Sequence, residues 1–411
     1  MKADTIVGLQ CHFCDAMIPV KPFRYTCPDC DNNLDFIYDY ERIQNSWSKN
    51  GLKQNPDPSI WRYLPLLPVS KAPGNTSLRV GGTPLVNFPK IADKYLLASF
   101  QIKDDSRNPS GSLKDRASEL GIRHAKEQGK TTLVAASTGN AGSSLAALAA
   151  HHGVKSVIFA PASAPIAKLT QIRQHGARLV PVEANYDRAF DLALEWAIKH
   201  DHYSRNTGIN PVLSEGKKTV ALEIAEQSAW QVPEHIFVPV GDGCIISGVY
   251  KGFADLLALG WIQKLPRLHA VQAEGSAAIV NSLNHNSEIL AVEAKTVADS
   301  ISVDFPRDGL KARRAIKKSS GSGITVSDTA ILEAQKELSR TTGIFAEPAA
   351  AAAYAGFLKA ARDDLIKAGE KVVVLMTGNG LKDIIAAQSG LGKIESVKAD
   401  LSEIEDYLKN Q

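Results

Sequence analysis

The stretch TTLVAASTGNAGSSLAALAAHHG, residues 131–153, decides the fold. Its opening run is apolar or β-branched almost throughout, as in a strand buried on both faces of a sheet. A Ser-Thr-Gly turn follows, then an alanine-rich run with the length and composition of a helix, expected from about Ala141 to His151. The same unit recurs on either side. LLASFQIK (96–103) leads to a helix expected from about Leu113 to Gln128, SVIFAPA (156–162) to IAKLTQIRQHG, and ARLVPVE (177–183) to YDRAFDLALEWAIKH. HIFVPV (235–240), LHAVQAE (268–274) and VVVLMT (372–377) extend the theme. Strands alternating with helices predict an α/β fold of parallel sheet covered by helices on both faces. The strands outnumber one comfortable sheet, so two lobes are expected with a cleft between them. The larger spans 46–92 and 189–411, and the smaller spans 93–188. Ligands in such sheets gather at the carboxyl ends of strands, so the loops there carry the function.

The 411 residues are about two to three times the usual domain length, in keeping with several domains. With 44% apolar and 22% charged residues the chain has material for packed cores, which excludes a disordered or fibrous protein. Forty-seven Lys and Arg against 44 Asp and Glu leave a net charge of +3, too small and too evenly spread for a nucleic-acid or membrane-surface partner. The densest basic run, KARRAIKK (311–318), reads as a solvated helix face. The N-terminus, MKADTIVGLQC, lacks the apolar core of a signal peptide, and no stretch of about twenty apolar residues occurs. A cytoplasmic protein with a small substrate is expected.

Four of the five cysteines fall in the first thirty residues, as Cys11-x-x-Cys14 and Cys27-x-x-Cys30. Each pair presents two thiolates from one tight turn, and two turns supply the four soft ligands of tetrahedral zinc. Residues 1–45 therefore read as a small zinc-ribbon-like module, with reduced thiols that hold no metal as the alternative. Neither pair follows a strand and opens a helix, which argues against a redox motif. From Asp39 to Pro73 the chain, rich in Asn and Pro, reads as a connecting arm.

Four loops carry chemistry-bearing residues. In SRNPSGSLKDR (106–116), a Pro-Ser-Gly turn leads to a serine placed to cap a helix whose first turn holds Lys114. An ammonium at the positive end of a helix is disfavoured, and burial adds to this, so Lys114 is expected to offer a neutral amine for Schiff-base chemistry. The alternative is an exposed lysine. In the opening stretch, Ser137, Thr138, Gly139 and Asn140 put backbone N–H groups, hydroxyls and an amide at a helix start, either an anion cradle for a carboxylate or a capped turn. Gly241, Asp242, Gly243, Cys244 and Ile245 form a second strand-glycine-helix junction, suited to phosphate. It is neither a P-loop nor Gly-x-Gly-x-x-Gly, and Glu274 lies too far on for a ribose-binding acid, so a dinucleotide site is the weaker rival. Thr377 ends VVVLMT, where its hydroxyl would meet a heteroaromatic nitrogen. An amine, a carboxylate cradle, a phosphate cradle and a ring-nitrogen partner together suit pyridoxal 5′-phosphate bound to a small amino acid.

At these residues, and from about Leu66 to Ser389, the chain resembles the tryptophan-synthase-β type of pyridoxal-phosphate enzymes, and within it is similar to the threonine synthases. The resemblance implies that Lys114, in Ser-Leu-Lys-Asp-Arg, carries the cofactor on its amine. It further implies that Asn140 meets the cofactor's phenolic oxygen and that Ser137, Thr138 and Gly139 hold the substrate carboxylate. Gly241 to Ile245 would hold the cofactor phosphate, and Thr377 would face the ring nitrogen. Asn185 falls where threonine synthases contact the substrate phosphate. Thr83-Pro84-Leu85 and Glu347-Pro348-Ala349 resemble further family segments, and an N-terminal Cys-x-x-Cys module occurs in some threonine synthases. Leu113 stands where Phe is usual, Asn379 where His is common, and the Gly-Asp-Gly-Cys loop is closer to dehydratase loops. The implied reaction converts O-phospho-L-homoserine and water to L-threonine and phosphate, in a homodimer. The rivals are a serine/threonine dehydratase, a cysteate-forming synthase, and a non-catalytic regulator on the same scaffold.

Overall fold

The computed structural model describes residues 5–22, 24–74, 78–137, 139–164, 166–391 and 396–409. Thr138 therefore lies outside the described residues. The apolar runs form two largely parallel sheets. A six-stranded sheet has the order Gly323–Val326, Arg267–Ala273, His235–Pro239, Lys371–Met376, Ser99–Asp104, Leu85–Asn87, with only the last strand antiparallel. A four-stranded sheet, parallel throughout, has the order Arg178–Val182, Lys155–Pro161, Thr132–Ala136, Tyr203–Ser204. Val372, Val373 and Val374 are wholly buried between helical layers, as strands covered on both faces require.

Sheet membership moves the expected lobe boundaries. Ser99–Asp104, expected in the small lobe, pairs with Lys371–Met376 in the six-stranded sheet. Tyr203–Ser204, expected in the large lobe, pairs with Thr132–Ala136 in the four-stranded sheet. Spacing along the chain shows that a strand exists, but its neighbour is set by which edge its side chains can bury.

Two helices shape the interior. Pro348–Arg362 lies on the six-stranded sheet through the run Ala349 to Ala353, whose short side chains let backbone approach backbone. At Gly356 a Cβ would sit 2.3 Å from Val271 Cγ2. Pro211–Gln227 is buried along nearly its whole length, packed between Cys244–Ala258 and Lys114–Glu127. It carries charge into the core, and each buried charge needs a partner.

The N-terminal residues form a third, three-stranded antiparallel sheet of Met17–Ile18, Ile6–Cys11 and Leu34–Tyr38. The stretch expected as a connecting arm follows it. It winds into short helices, Tyr40–Ser46, Lys49–Gln54 and Ile60–Leu66, and buries Ile60, Trp61, Tyr63 and Leu66 in the main core. The basic run 311–318 also differs from expectation: Lys311 turns inward and pairs with Asp35 of the module at 2.6 Å.

Candidate active site

Loops from the carboxyl ends of four strands meet in one cleft enclosing about 260 Å³, lined by Lys114, Ser137, Gly139, Asn140, the run Pro239 to Ile245, Glu347 and Thr377. Those strands are Ser99–Asp104, Thr132–Ala136, His235–Pro239 and Lys371–Met376. Ligand sites of α/β sheets gather at such ends.

Lys114 is the first residue of the helix Lys114–Glu127. The expected serine cap is not made: the N-cap is Leu113, and the Ser112 hydroxyl is buried with no partner among the described residues. The loop is held instead by its neighbour, since Leu113 N–H donates to the Thr377 carbonyl (2.9 Å) and Asn379 N–H to the Gly111 carbonyl (3.0 Å). This stitching fixes the distance between Lys114 and Thr377. Below it, the Arg116 guanidinium is fully buried and bonds Asp105 and Glu223, each at 2.6 Å. Thr83 donates its hydroxyl to Asp105 (2.6 Å), and Lys103 reaches Glu223 at 2.6 Å. Thr83 and Arg116 thus belong to one buried ion cage that anchors the lysine helix, while Asp115 accepts from Ser110 N–H at 2.6 Å within the preceding loop. Removing one member would strand a buried charge, a loss of about 3–5 kcal/mol. Burial first, and then the Lys217 ammonium, bring the Lys114 amine down to about 8, with Glu347 pulling the other way.

Asn140 opens the helix Asn140–His152, and its amide donates to both carboxylate oxygens of Glu347 at 2.9 Å. Ser137 lines the cleft while its hydroxyl accepts from Gly139 N–H at 3.1 Å. Gly139, Asn140 and Ala141 therefore face the cleft at the positive end of a helix.

The third loop runs into the helix Cys244–Ala258, with Gly243 as its N-cap at φ 94°. A Cβ on Gly243 would lie 2.7 Å from Ala312 Cβ and 2.9 Å from the Asp308 carbonyl oxygen, so only glycine fits. Asp242 is pinned by backbone N–H groups: Arg307 N–H donates to its carboxylate (3.3 Å) and Asp308 N–H to its carbonyl (3.1 Å). Burial pushes the Cys244 thiol up to about 12, leaving it neutral, so this residue serves the loop through its backbone.

Two cations stand behind this loop. In the helix Pro211–Gln227, Glu223 is paired with Arg116 and Lys103, and Lys218 with Glu215 and Asp255. Lys217 is as deeply buried, yet its ammonium has no hydrogen-bond partner among the described residues. Burial above all lowers its hold on a proton, and the charged groups that act on it are Arg205, Asp308 and Asp242, in or beside the Gly241–Ile245 loop. Arg205, equally buried, donates to Ser118 (3.2 Å) and Thr207 (2.8 Å), but to no carboxylate among the described residues. An orphaned ammonium beside a glycine cradle at a helix N-terminus is what a phosphate dianion would satisfy. With Lys114 in the same cleft, the donor set fits pyridoxal phosphate.

Asn185 stands apart from the other expected residues. It is exposed, outside the cleft lining, and its side chain caps the helix Tyr186–Lys199 by accepting from Arg188 N–H at 3.0 Å. Its neighbour Tyr186 lines the cleft. Sequence reasoning missed Lys217 and Arg205, because a lysine in EGKKT carries no mark of burial. It noted Glu347 only as part of a familiar segment, although the proline after it signalled a helix start.

In the N-terminal module the Sγ atoms of Cys11, Cys14, Cys27 and Cys30 all lie within 4.8 Å of one another. The pairs Cys11–Cys30, Cys14–Cys30 and Cys14–Cys27 are 3.5, 3.6 and 3.7 Å apart. Four thiolates at tetrahedral zinc bonds of about 2.3 Å stand about 3.8 Å apart, so the cage fits the ion.

Comparison with known proteins agrees with this geometry. The family of pyridoxal-phosphate-dependent enzymes matches residues 76–378. A threonine synthase of Methanocaldococcus jannaschii is 36% identical over 97% of this chain and 99% of its own length. One of Methanosarcina acetivorans is 38% identical over 91% of this chain and 92% of its own length. Among solved structures, a fungal L-serine ammonia-lyase from Rhizomucor miehei superposes with a TM-score of 0.65 at 22% identity, covering 76% of this chain and 98% of its own. Tomato threonine deaminase isoform 2 gives 0.64 at 22% identity, covering 76% and 88%. These two likenesses speak for the fold. Cleft, family match and near full-length relatives agree: the chain belongs to the pyridoxal-phosphate-dependent enzymes and, among them, to the threonine synthase family.

Proposed function

We propose that this chain converts O-phospho-L-homoserine and water to L-threonine and phosphate with pyridoxal phosphate held in the cleft. The observation that carries the reading is the convergence of the Lys114 amine, Asn140, the Gly241–Gly243 turn and Thr377 on one cavity. When bound, the cofactor supplies an electron sink for charge developing at the substrate carbons. Lys114 holds the cofactor, and its amine, neutral at accessible pH, takes the proton from Cα and returns protons to the neighbouring carbons. The backbone N–H groups of Gly241 to Ile245, backed by Lys217, hold the cofactor phosphate. Asn140, kept in place by Glu347, would orient the ring, and the Thr377 hydroxyl would be the partner offered to its nitrogen. Ser137 and Gly139, at the start of Asn140–His152, take the substrate carboxylate, with Thr138 between them in sequence. Closure of the lobes excludes bulk water except at the step that consumes it. A substrate-phosphate role for Asn185 would require its side chain to leave the helix cap it now makes.

The four N-terminal cysteines hold a structural zinc in this reading, and the enzyme is a cytoplasmic homodimer that meets neither nucleic acid nor lipid. In support, no described helix is long and apolar enough to cross a membrane, and the net charge is only +3. Borohydride treatment of the holoenzyme followed by peptide mapping should put the pyridoxyl group on Lys114, and Lys114→Ala should abolish threonine formation. A label on any other lysine would sink the assignment.

A further inference from the structure

The zinc-ribbon module stands against the back of the phosphate loop. Asn33, three residues past Cys30, is part of the second knuckle's hairpin: it bridges to Thr26, and its carbonyl accepts from His12 N–H at 3.1 Å, inside the first knuckle. Its side chain faces the body of the enzyme. The amide donates to the Gly208 carbonyl (2.8 Å), the Arg307 carbonyl (3.0 Å) and the Asp308 carboxylate. Arg307 and Asp308 are the residues whose N–H groups hold Asp242, and the Asp308 carbonyl packs on Gly243. Gly208 follows Thr207, which lines the cleft. One side chain thus ties both metal knuckles to two walls of the phosphate cradle. The seam around it is polar and specific: Lys311 pairs with Asp35, Tyr25 accepts from Ser204 N–H at 2.9 Å, and Arg314 donates to the His12 carbonyl at 3.3 Å.

We propose that Asn33 is a positioning residue through which the metal-bound module holds the phosphate loop closed, so that zinc occupancy and retention of pyridoxal phosphate are coupled. With zinc bound, the knuckles fix the Asn33 backbone and its amide clamps residues 208 and 307–308 behind Asp242. Without zinc the hairpins loosen, the clamp opens, and the cradle loses the buttress that keeps its N–H groups aimed at phosphate. The inference rests on the reading of Gly241 to Ile245 as the phosphate site.

The test is the rate at which the full-length holoenzyme loses cofactor on dilution, read from its visible absorption, with zinc content measured alongside. Asn33→Ala should lose cofactor about tenfold faster than the parent, the scale of one well-made buried hydrogen-bond set, while keeping its zinc. The isosteric Asn33→Asp faces three oxygens with a carboxylate and should be at least as fast. Stripping zinc from the parent with a mercurial should speed the loss to the same degree, and stripping it from Asn33→Ala should add less than about twofold if the two act through one path. A loss rate within about twofold of the parent in both variants, or no response of the parent to zinc removal, overturns the proposal. Gly243→Ala separates it from the underlying reading: that variant should fail to retain cofactor, and its retention would refute the phosphate site itself.

Discussion

Lys114 opens a helix, buried and beside the Lys217 ammonium, which has no hydrogen-bond partner among the described residues. Burial and that second charge lower its affinity for a proton, down to about 8. Capture of pyridoxal phosphate by the apoprotein needs the neutral amine, so its rate should rise with pH through about 8. In Lys217→Met the repulsive charge is gone and the proton is held more tightly, so the midpoint should move up. Stopped-flow capture across pH measures this, and a midpoint that stayed or fell would contradict the role given to Lys217. At this scale the sequence was informative where chemistry imposes a local pattern. Lys114, Asn140, Gly243 and Thr377 all sit at strand-to-helix junctions, which glycine, proline and capping residues mark. Lys217 and Arg205 sit within or beside a helix buried on every side, and nothing in their neighbours' identities signals that burial.

The elements themselves were well marked. Thr132–Ala136, His235–Pro239 and Lys371–Met376 match, to within a residue or two, the runs expected to form strands, because a strand buried on both faces leaves an unbroken apolar signature. Helix starts were less legible: the one before Lys114 is held by hydrogen bonds from a loop more than 250 residues away in sequence, not by the serine beside it. The short helices inside the arm from Asp39 to Pro73 were not legible, because elements this short carry little periodicity. The helix Pro348–Arg362 offers a direct test of how closely element packs on element. Gly356→Ala places a methyl group 2.3 Å from Val271 and should lower stability by about 1–3 kcal/mol with the cleft residues untouched. Chemical denaturation measures it, and an unchanged midpoint would mean the helix is not seated on the sheet as described.

On the scale of the whole molecule, two sheets, one cleft and one metal knuckle module account for the length of the chain. That there are two sheets followed from the number of strands, but which strand joins which sheet did not. Ser99–Asp104 and Tyr203–Ser204 each pair with strands distant in sequence. The contact of the module with the phosphate loop was likewise invisible, since Asn33 meets residues 208, 307 and 308 only in the folded chain. The near-neutral charge fits an enzyme whose small anionic ligands are held by backbone N–H groups and buried cations and not by a basic surface. The measurement that bears most directly on the account is product analysis after O-phospho-L-homoserine is added to the purified holoenzyme. Inorganic phosphate and L-threonine should appear in equal amounts and should both vanish in Lys114→Ala. No phosphate from that substrate, with 2-oxobutyrate formed instead from threonine, would contradict it.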